Sequence, residues 1–408
     1  MMPPKITDLP ENAINAILMC LPLRDAVRTS ILSKKWRYKW CKLPELTLDD
    51  KLWKTTDNLL SPSIKFTTIM YNILTLHSGP LTKFTLSMSE LKKYPKIGSL
   101  IHFLSRNGIQ HLVLKFSEWN RYKLPSSLFT CSQLRHLTLQ NCLICPSPAF
   151  EGFDMLISLE LCHVSISSEA LENLISSSPL LENLVLKMSD TLNHIQIKAP
   201  KLRSFEFTGC IKFISLKNVP QLAKLCLLYG ESFEESEKCD LDNFFQSHPA
   251  LEHLHLEYGS SQFLVAEVPT RLSSALNYLK HLYVSMDELD DLSCALYLIR
   301  SSPCLQDLEV EVSMEESDYK DDIVDEVSAS FSDVGLNQVK TVKIAGIIGT
   351  KLEMELIKLL LAKSPMLVRM IIQPEQLWVD KEKGVKILAE LSTFQRASRK
   401  AEVECHLE

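Results

Sequence analysis

One short phrase, apolar-x-x-apolar-x-apolar, recurs along this chain and restricts what it can fold into. It reads LTKFTL (81–86), IQHLVL (109–114), LRHLTL (134–139), LISLEL (156–161), LENLVL (181–186) and LRSFEF (202–207). It continues as LAKLCL (222–227), LEHLHL (251–256), LKHLYV (279–284), LQDLEV (305–310), VKTVKI (339–344) and LVRMII (367–372). The last four residues of each phrase alternate, so Leu254 and Leu256 face one side of a strand while His253, His255 and Glu257 face the other. One such unit cannot bury its own leucines. Stacked neighbours can, by sharing one continuous core.

The phrases step by about 20 to 34 residues, the spacing of leucine-rich repeats. Helix-like returns lie between them. SSEALENLISSSP (167–179) opens with serine and an acidic residue, which suit a helix N-terminus. Its Leu171, Leu174 and Ile175 form a helical stripe that stops before Pro179. The same helix–Pro–strand join recurs in FFQSHPALEHL, YLIRSSPCLQDL and LLLAKSPMLVRM. The expected fold is α/β: a curved leucine-rich-repeat solenoid with parallel strands inside and helices or irregular segments outside.

The N-terminus is different. LPENAINAILMCLPLRDAVRTSILSKKWRYKW carries Arg24, Arg28, Lys34, Lys35, Arg37 and Lys39, with Lys42 just beyond, around apolar residues. Asp8 with Glu11 three residues later has the form of a capping box. Ile14, Ile17, Leu18 and Leu21 then follow at i, i+3, i+4 and i+7 of a helix. Pro22 interrupts. Leu23, Ala26, Val27 and Ile31 make a second stripe, and Ser33 is placed to cap a third short helix bearing Trp36 and Trp40. Three helices in some 40 residues rarely stabilise themselves, so this piece is expected to dock on the solenoid or on another protein. Its cationic rim suits an acidic partner.

These residues resemble an F-box of the plant type: Leu9-Pro10, the Ile-Leu pair at 17–18, Leu21-Pro22, DAVRTSILSKKWR and the closing LPELTLDD. LNQVKTVKIAGIIGTKLEMELIKLLLAKSPMLVRMII, with FQRAS after it, resembles the FBD module. The resemblance spans essentially the whole chain and implies an F-box/FBD/LRR-repeat protein, a substrate receptor of an SCF-type cullin–RING ubiquitin ligase. It implies that Leu9, Pro10, Ile14, Leu18, Leu21, Pro22, Val27, Leu32 and Trp36 form the box and its contact with an acidic Skp-family adaptor, and through that adaptor a link to cullin and RING subunits. The expected divisions are an F-box at 1–45, a linker with the first solenoid segment at 46–80, repeats at 81–334, and an FBD module at 335–408 that continues and caps the solenoid.

Under this reading the target, an unknown protein, meets the outward strand positions. Alternation assigns His111, Lys115, His136, Gln140, Glu160, Lys187, Glu206, Lys224, His253, His255, Glu257, His281 and Tyr283 to that surface. The alternative is a non-catalytic repeat scaffold or sequestering module outside any ligase, which needs Leu9 and Trp36 buried within the chain. A small-molecule sensor is a third possibility, but the strand faces show no clear basic pocket for it.

No catalytic residue, cofactor or metal ligand is expected. G-x-S-x-G, H-E-x-x-H and Walker A patterns do not occur, and 11 glycines leave little for a phosphate cradle. GIIGTK (346–351) is too short to be a phosphate loop. CLIC (142–145) lacks a second ligand pair for zinc; Cys142 and Cys210 instead hold the repeat place that takes Asn or Cys, a small side chain able to bond the turning backbone. The acidic run 307–326, ten acids against Lys320, lacks calcium-loop spacing and reads as a solvated loop. A net charge of −6 argues against nucleic acid. No run of 18 apolar residues and no signal-peptide pattern occurs, and the 12 cysteines are scattered in Leu-rich runs. Cytoplasm or nucleus is therefore expected, with no membrane partner.

Overall fold

The computed structural model describes residues 9–52, 62–88, 96–118, 121–189, 192–209, 211–229, 241–257, 276–286, 289–313, 327, 331, 335–375, 379 and 381–406. Residues 1–201 with 215–218 form one compact unit; residues 202–214 with 219–408 form a second.

In the first unit the main strands are β1 (Glu45–Asp49), β2 (Lys83–Ser87), β3 (His111–Lys115), β5 (His136–Gln140), β7 (Ser158–Cys162) and β8 (Asn183–Lys187). Each pairs in parallel with the next in that order, and equivalent repeat positions lie opposite one another: Glu45, Lys83, His111, His136, Ser158 and Asn183 form one row. Short β4 (Tyr122–Lys123) pairs with β6 (Cys142–Leu143), and β9 (Leu192–Lys198) runs beside the helices' side of the repeats. Helices α1 (Glu11–Met19), α2 (Leu23–Arg28), α3 (Pro62–Leu76), α4 (Ile97–Arg106) and α5 (Ser168–Ser176) fill the intervals.

The second unit stacks β10 (Ser204–Gly209), β12 (Lys224–Tyr229), β13 (His253–Leu256), β14 (His281–Met286), β15 (Asp307–Val312), β16 (Thr341–Ile347), β17 (Arg369–Pro374) and β18 (Glu402–Cys405), again all parallel in that order. The remaining strand, β11 (Ile211–Lys217), has residues 211–214 in this unit and 215–217 in the first. Helices Leu241–Gln246, Leu289–Arg300, Lys351–Lys363 and Lys381–Thr393 lie between them.

All twelve phrases became strands, and the alternation holds. Leu112, Leu114, Leu159, Leu161, Phe205, Phe207, Leu308 and Val342 are fully buried, while their neighbours on the opposite face are half-buried or, as at Glu309, exposed. Every helix–Pro–strand join is present, and Ser167 caps α5 by accepting from the Ala170 N–H. Two of the main parallel strands lay outside the expected series. LPELTL (43–48) carries the same phrase but closes the F-box, and its second half is β1. β18 lacks leucines because it is an edge, where the half-buried Val403 and Cys405 suffice.

Two details correct the sequence reading. Cys142 is fully buried; the residue that bonds the turning backbone is Asn141, whose Nδ2 donates to the Phe116 carbonyl at 2.9 Å from a left-handed conformation. Burial pushes the Cys142 thiol up to about 12. Cys210 lies outside the described residues. The first six residues of the acidic run are strand β15 rather than loop, and 314–326 lie outside the described residues.

GIIGTK also resolves physically. Its backbone N–H groups at Ile348, Gly349 and Thr350 donate to the buried Glu353 carboxylate at 3.1, 2.7 and 2.8 Å, so an internal anion fills the nest. Thr350 returns the bond as the cap of helix Lys351–Lys363. Gly346 sits in a bulge of β16 at φ +77, where a Cβ would lie 2.0 Å from the Val312 carbonyl oxygen.

Backbone oxygen cannot yield that space. Gly346→Ala should therefore cost more than the about 1–2 kcal/mol of a left-handed alanine alone. Gly108→Ala, at φ +66 with nothing within 4 Å, should cost only that amount. Urea unfolding of both variants tests this, and equal midpoints would contradict it.

Candidate functional site

The N-terminal segment divides its apolar residues between two duties. α1 begins at Glu11 with Pro10 in the cap position and no side-chain cap; Asp8 lies outside the described residues. Glu11 is the first helical residue of α1. It pairs with Lys39, whose ammonium holds the Glu11 carboxyl below the usual range. Lys35 reaches back to the Leu9 carbonyl, so two cations tie residues 33–42 over the start of α1.

Residues 33–38 form successive turns followed by a 3-10 turn, Lys39–Lys42, in place of a third α-helix. Ser33 contributes its carbonyl to Trp36 and Arg37, not its hydroxyl as a cap. Tyr38 turns the chain at φ 65, which ends any helix there. The arrangement nevertheless buries Trp36 (1% exposed) and Trp40.

This segment is fastened to the first repeat. Ser78 N donates to the Cys41 carbonyl at 2.9 Å, His77 Nε2 meets the Leu43 carbonyl at 2.9 Å, and Thr82 N donates to the Pro44 carbonyl at 2.8 Å. Gly79 permits the approach, because a Cβ there would lie 2.8 Å from the Lys42 Cα.

Of the nine F-box residues expected from sequence, Ile14, Leu18 and Trp36 are buried, Leu9 and Leu21 are half-buried, and Pro10, Pro22, Val27 and Leu32 are exposed. The first three therefore build the segment. The exposed four are joined by residues the sequence reading left out of its contact set: Ile17, Met19 (54% exposed), Ile31 (87%) and Tyr38 (58%). Helical periodicity set Ile17 and Ile31 in the apolar stripes of the first two helices, and the structure leaves both exposed. Arg24, Arg28, Lys34, Lys35, Arg37, Lys39 and Lys42 accompany them.

All thirteen strand-face positions point away from the leucine core; Lys224 is exposed and the others are half-buried. In the first unit the His111 ring stacks on His136, with centroids 4.2 Å apart, and Thr138 donates to Glu160 at 3.1 Å. Lys115 and Gln140 are register neighbours, as are Cys162 and Lys187 one rung on. In the second unit, His253 stacks on His281 and His255 on Tyr283. Cross-strand ion pairs continue there: Lys343 to Glu309 at 3.5 Å and Arg369 to Glu404 at 2.7 Å. The two-bond Arg369 fork holds Glu404 down to about 2. Sequence alternation placed each residue on this face; only the register shows which ones touch. No group of three metal-binding side chains converges among the described residues.

A leucine-rich-repeat solenoid that begins with a compact helical F-box defines the class of F-box repeat proteins. An F-box domain model matches residues 6–47, and the model described as FBD-associated F-box protein At5g56370, LRR repeats, matches 97–310. The F-box/FBD/LRR-repeat protein At1g13570 of Arabidopsis thaliana is 34% identical over 98% of both chains. At1g51370, another Arabidopsis F-box/FBD/LRR-repeat protein, is 26% identical over 97% of this chain and 94% of its own. A solved internalin from Listeria monocytogenes aligns at 12% identity and TM-score 0.38, covering 98% of this chain and 94% of that one. The chain belongs to the F-box/FBD/LRR-repeat family.

Burial holds the imidazoles of His111, His253 and His248 below their ordinary value, and the stacked partner's charge adds to this for the first two. Each binds its proton more weakly folded than unfolded, so stability is full above about pH 6.5 and falls as pH drops through it. The urea midpoint should decline between pH 7 and 5, and His111→Gln/His253→Gln should flatten that decline. An unchanged pH slope in the double variant would count against the assignment.

Proposed function

We propose that this chain is the substrate-recognition subunit of an SCF-type cullin–RING ubiquitin ligase. The F-box clips to a Skp-family adaptor, and through it to cullin and RING subunits, while the strand face of the repeats and FBD module holds a target protein for ubiquitination. F-box domains generally bind Skp-type adaptors, and the observation that carries the reading here is the exposed apolar set around Met19, Ile31, Leu32 and Tyr38 amid seven cations. Six exposed large apolar side chains within 22 residues of sequence, Ile17 to Tyr38, suit a protein contact, and the cations suit an acidic partner during encounter.

The chain contributes proximity rather than chemistry. Holding a target beside a ubiquitin-charged enzyme raises the effective concentration of one for the other, so binding alone sets which protein is modified. The reading includes action in the cytoplasm or nucleus.

The scaffold alternative gains one point, since Trp36 is buried within the chain as it requires. It leaves Ile31 and its neighbours without a role. Those exposed residues separate the two. Exposed substitutions ordinarily shift stability by less than about 0.5 kcal/mol, whereas emptying a buried tryptophan site costs about 3–5 kcal/mol.

Ile31→Asp/Leu32→Asp should keep the wild-type melting temperature yet lose a plant Skp-family adaptor in co-purification. Trp36→Ala should lose binding together with fold. A well-folded wild type that captures none of a representative adaptor panel would transfer the reading to the scaffold.

A further inference from the structure

In the second unit, the register sets Lys224, His253, His281 and Asp307 in one row across four strands, and Cys226, His255, Tyr283 and Glu309 in the next. The His253 and His281 rings stack with centroids 4.1 Å apart and planes within 1°. His255 and Tyr283 stack at 3.9 Å and 7°. A groove of about 330 Å³ runs over these rings and is bordered by Asp307 and Glu309.

The rings are held by acids. His281 Nδ1 lies 2.9 Å from Asp307, His255 Nε2 lies 3.1 Å from Glu257, and the Tyr283 hydroxyl donates to Glu311. Four carboxylates, Glu257, Asp307, Glu309 and Glu311, thus surround the ring cluster, against the cations Lys224 and Lys343. Asp307 and Glu309 are two residues apart on one strand face, about 7 Å by strand geometry.

A ligand suited to this groove is flat enough to lie against imidazole and phenol rings, cationic enough for an acidic border, and able to engage a carboxylate in two directions. Guanidinium meets all three conditions. It stacks on aromatic faces, is weakly hydrated, and forks onto carboxylates, whereas an ammonium is a compact, strongly hydrated point charge.

We propose that the groove over β12–β15 receives an arginine side chain of the target, its guanidinium lying against the imidazole–phenol cluster and paired with Asp307 and Glu309. The proposal rests on the reading of the strand face as the target surface. It narrows the target class to proteins that present an arginine in an accessible segment.

The test uses the full-length chain with ¹³C-labelled histidine rings, each signal assigned by its own His→Gln variant. Acetyl-arginine methylamide is titrated beside the acetyl-lysine and acetyl-citrulline methylamides. The expected result is saturable movement of the His253, His255 and His281 signals with arginine, at least five-fold tighter than with lysine or citrulline. His111 and His136 should stay in place in the same spectra. Asp307→Asn/Glu309→Gln, two isosteric changes at the surface, should weaken the arginine response at least five-fold with the melting temperature kept.

Equal binding of citrulline, an undiminished arginine response in the double variant, or equal movement of His111 and His136 would overturn the proposal. The underlying target-surface reading fails separately, if His136→Glu, Tyr283→Ala and Lys343→Glu all leave the set of F-box-dependent ubiquitinated proteins unchanged. If that set changes while arginine and citrulline remain indistinguishable, the face binds targets through other groups and the arginine proposal alone is wrong.

Discussion

Everything in this molecule depends on leucines that no single repeat can bury. Leu137 and Leu139 are sealed only because Leu112 and Leu114 lie on one side and Leu159 and Leu161 on the other, and the same holds rung after rung within each unit. A core built by stacking needs something at its first and last strands. At the start, α2 and the 3-10 turn before β1 pack there, and the backbone bonds from Ser78 and Thr82 fix the entry of the second strand. At the end, β18 turns Glu402 and Glu404 outward, with Arg369 bonded to Glu404, which suits an edge that must not recruit further strands.

Because the leucine face provides the cohesion, the opposite face is free to vary. Its residues hold one another only through modest cross-strand pairs, each worth about 0.2–1 kcal/mol. Lys83 with Glu45, Lys343 with Glu309 and the stacked rings are of this kind. Such a face can change its side chains with little effect on the fold, as the proposed receptor role would require. The F-box shows the same division on a smaller scale: α1 turns Ile14 and Leu18 inward for cohesion and leaves Ile17 and Met19 exposed.

How much of this was legible followed from periodicity. Strands with two strong inward leucines announced themselves, and so did α5 and the Pro-terminated helices. β1 was hidden because its phrase, LPELTL, coincides with the end of the F-box, and β18 because an edge needs little apolar content. The third F-box helix was over-read: Trp36 and Trp40 have helical spacing, but Tyr38 adopts a left-handed backbone between them, and spacing carries no information about that torsion. Contact residues were the hardest to read. Val27 and Ile31 share one apolar stripe in sequence, which does not say which side chains stay outside, and a domain of some 40 residues has too little interior to take every apolar side chain it carries. On the strand face, alternation identified the outward residues, but which histidines touch depends on register between rungs about 25 residues apart.

The central claim is that one chain carries two separate docking surfaces, an apolar-cationic one on the F-box and a polar one on the strands. Hydroxyl-radical footprinting of the full-length chain, with and without a plant Skp-family adaptor, tests it most directly. The account predicts that Met19, Ile31, Leu32 and Tyr38 lose reactivity in the complex while Tyr283 and His111 keep theirs. Protection of Tyr283 and His111 by the adaptor, or an adaptor complex in which Met19 and Tyr38 remain fully reactive, would contradict it.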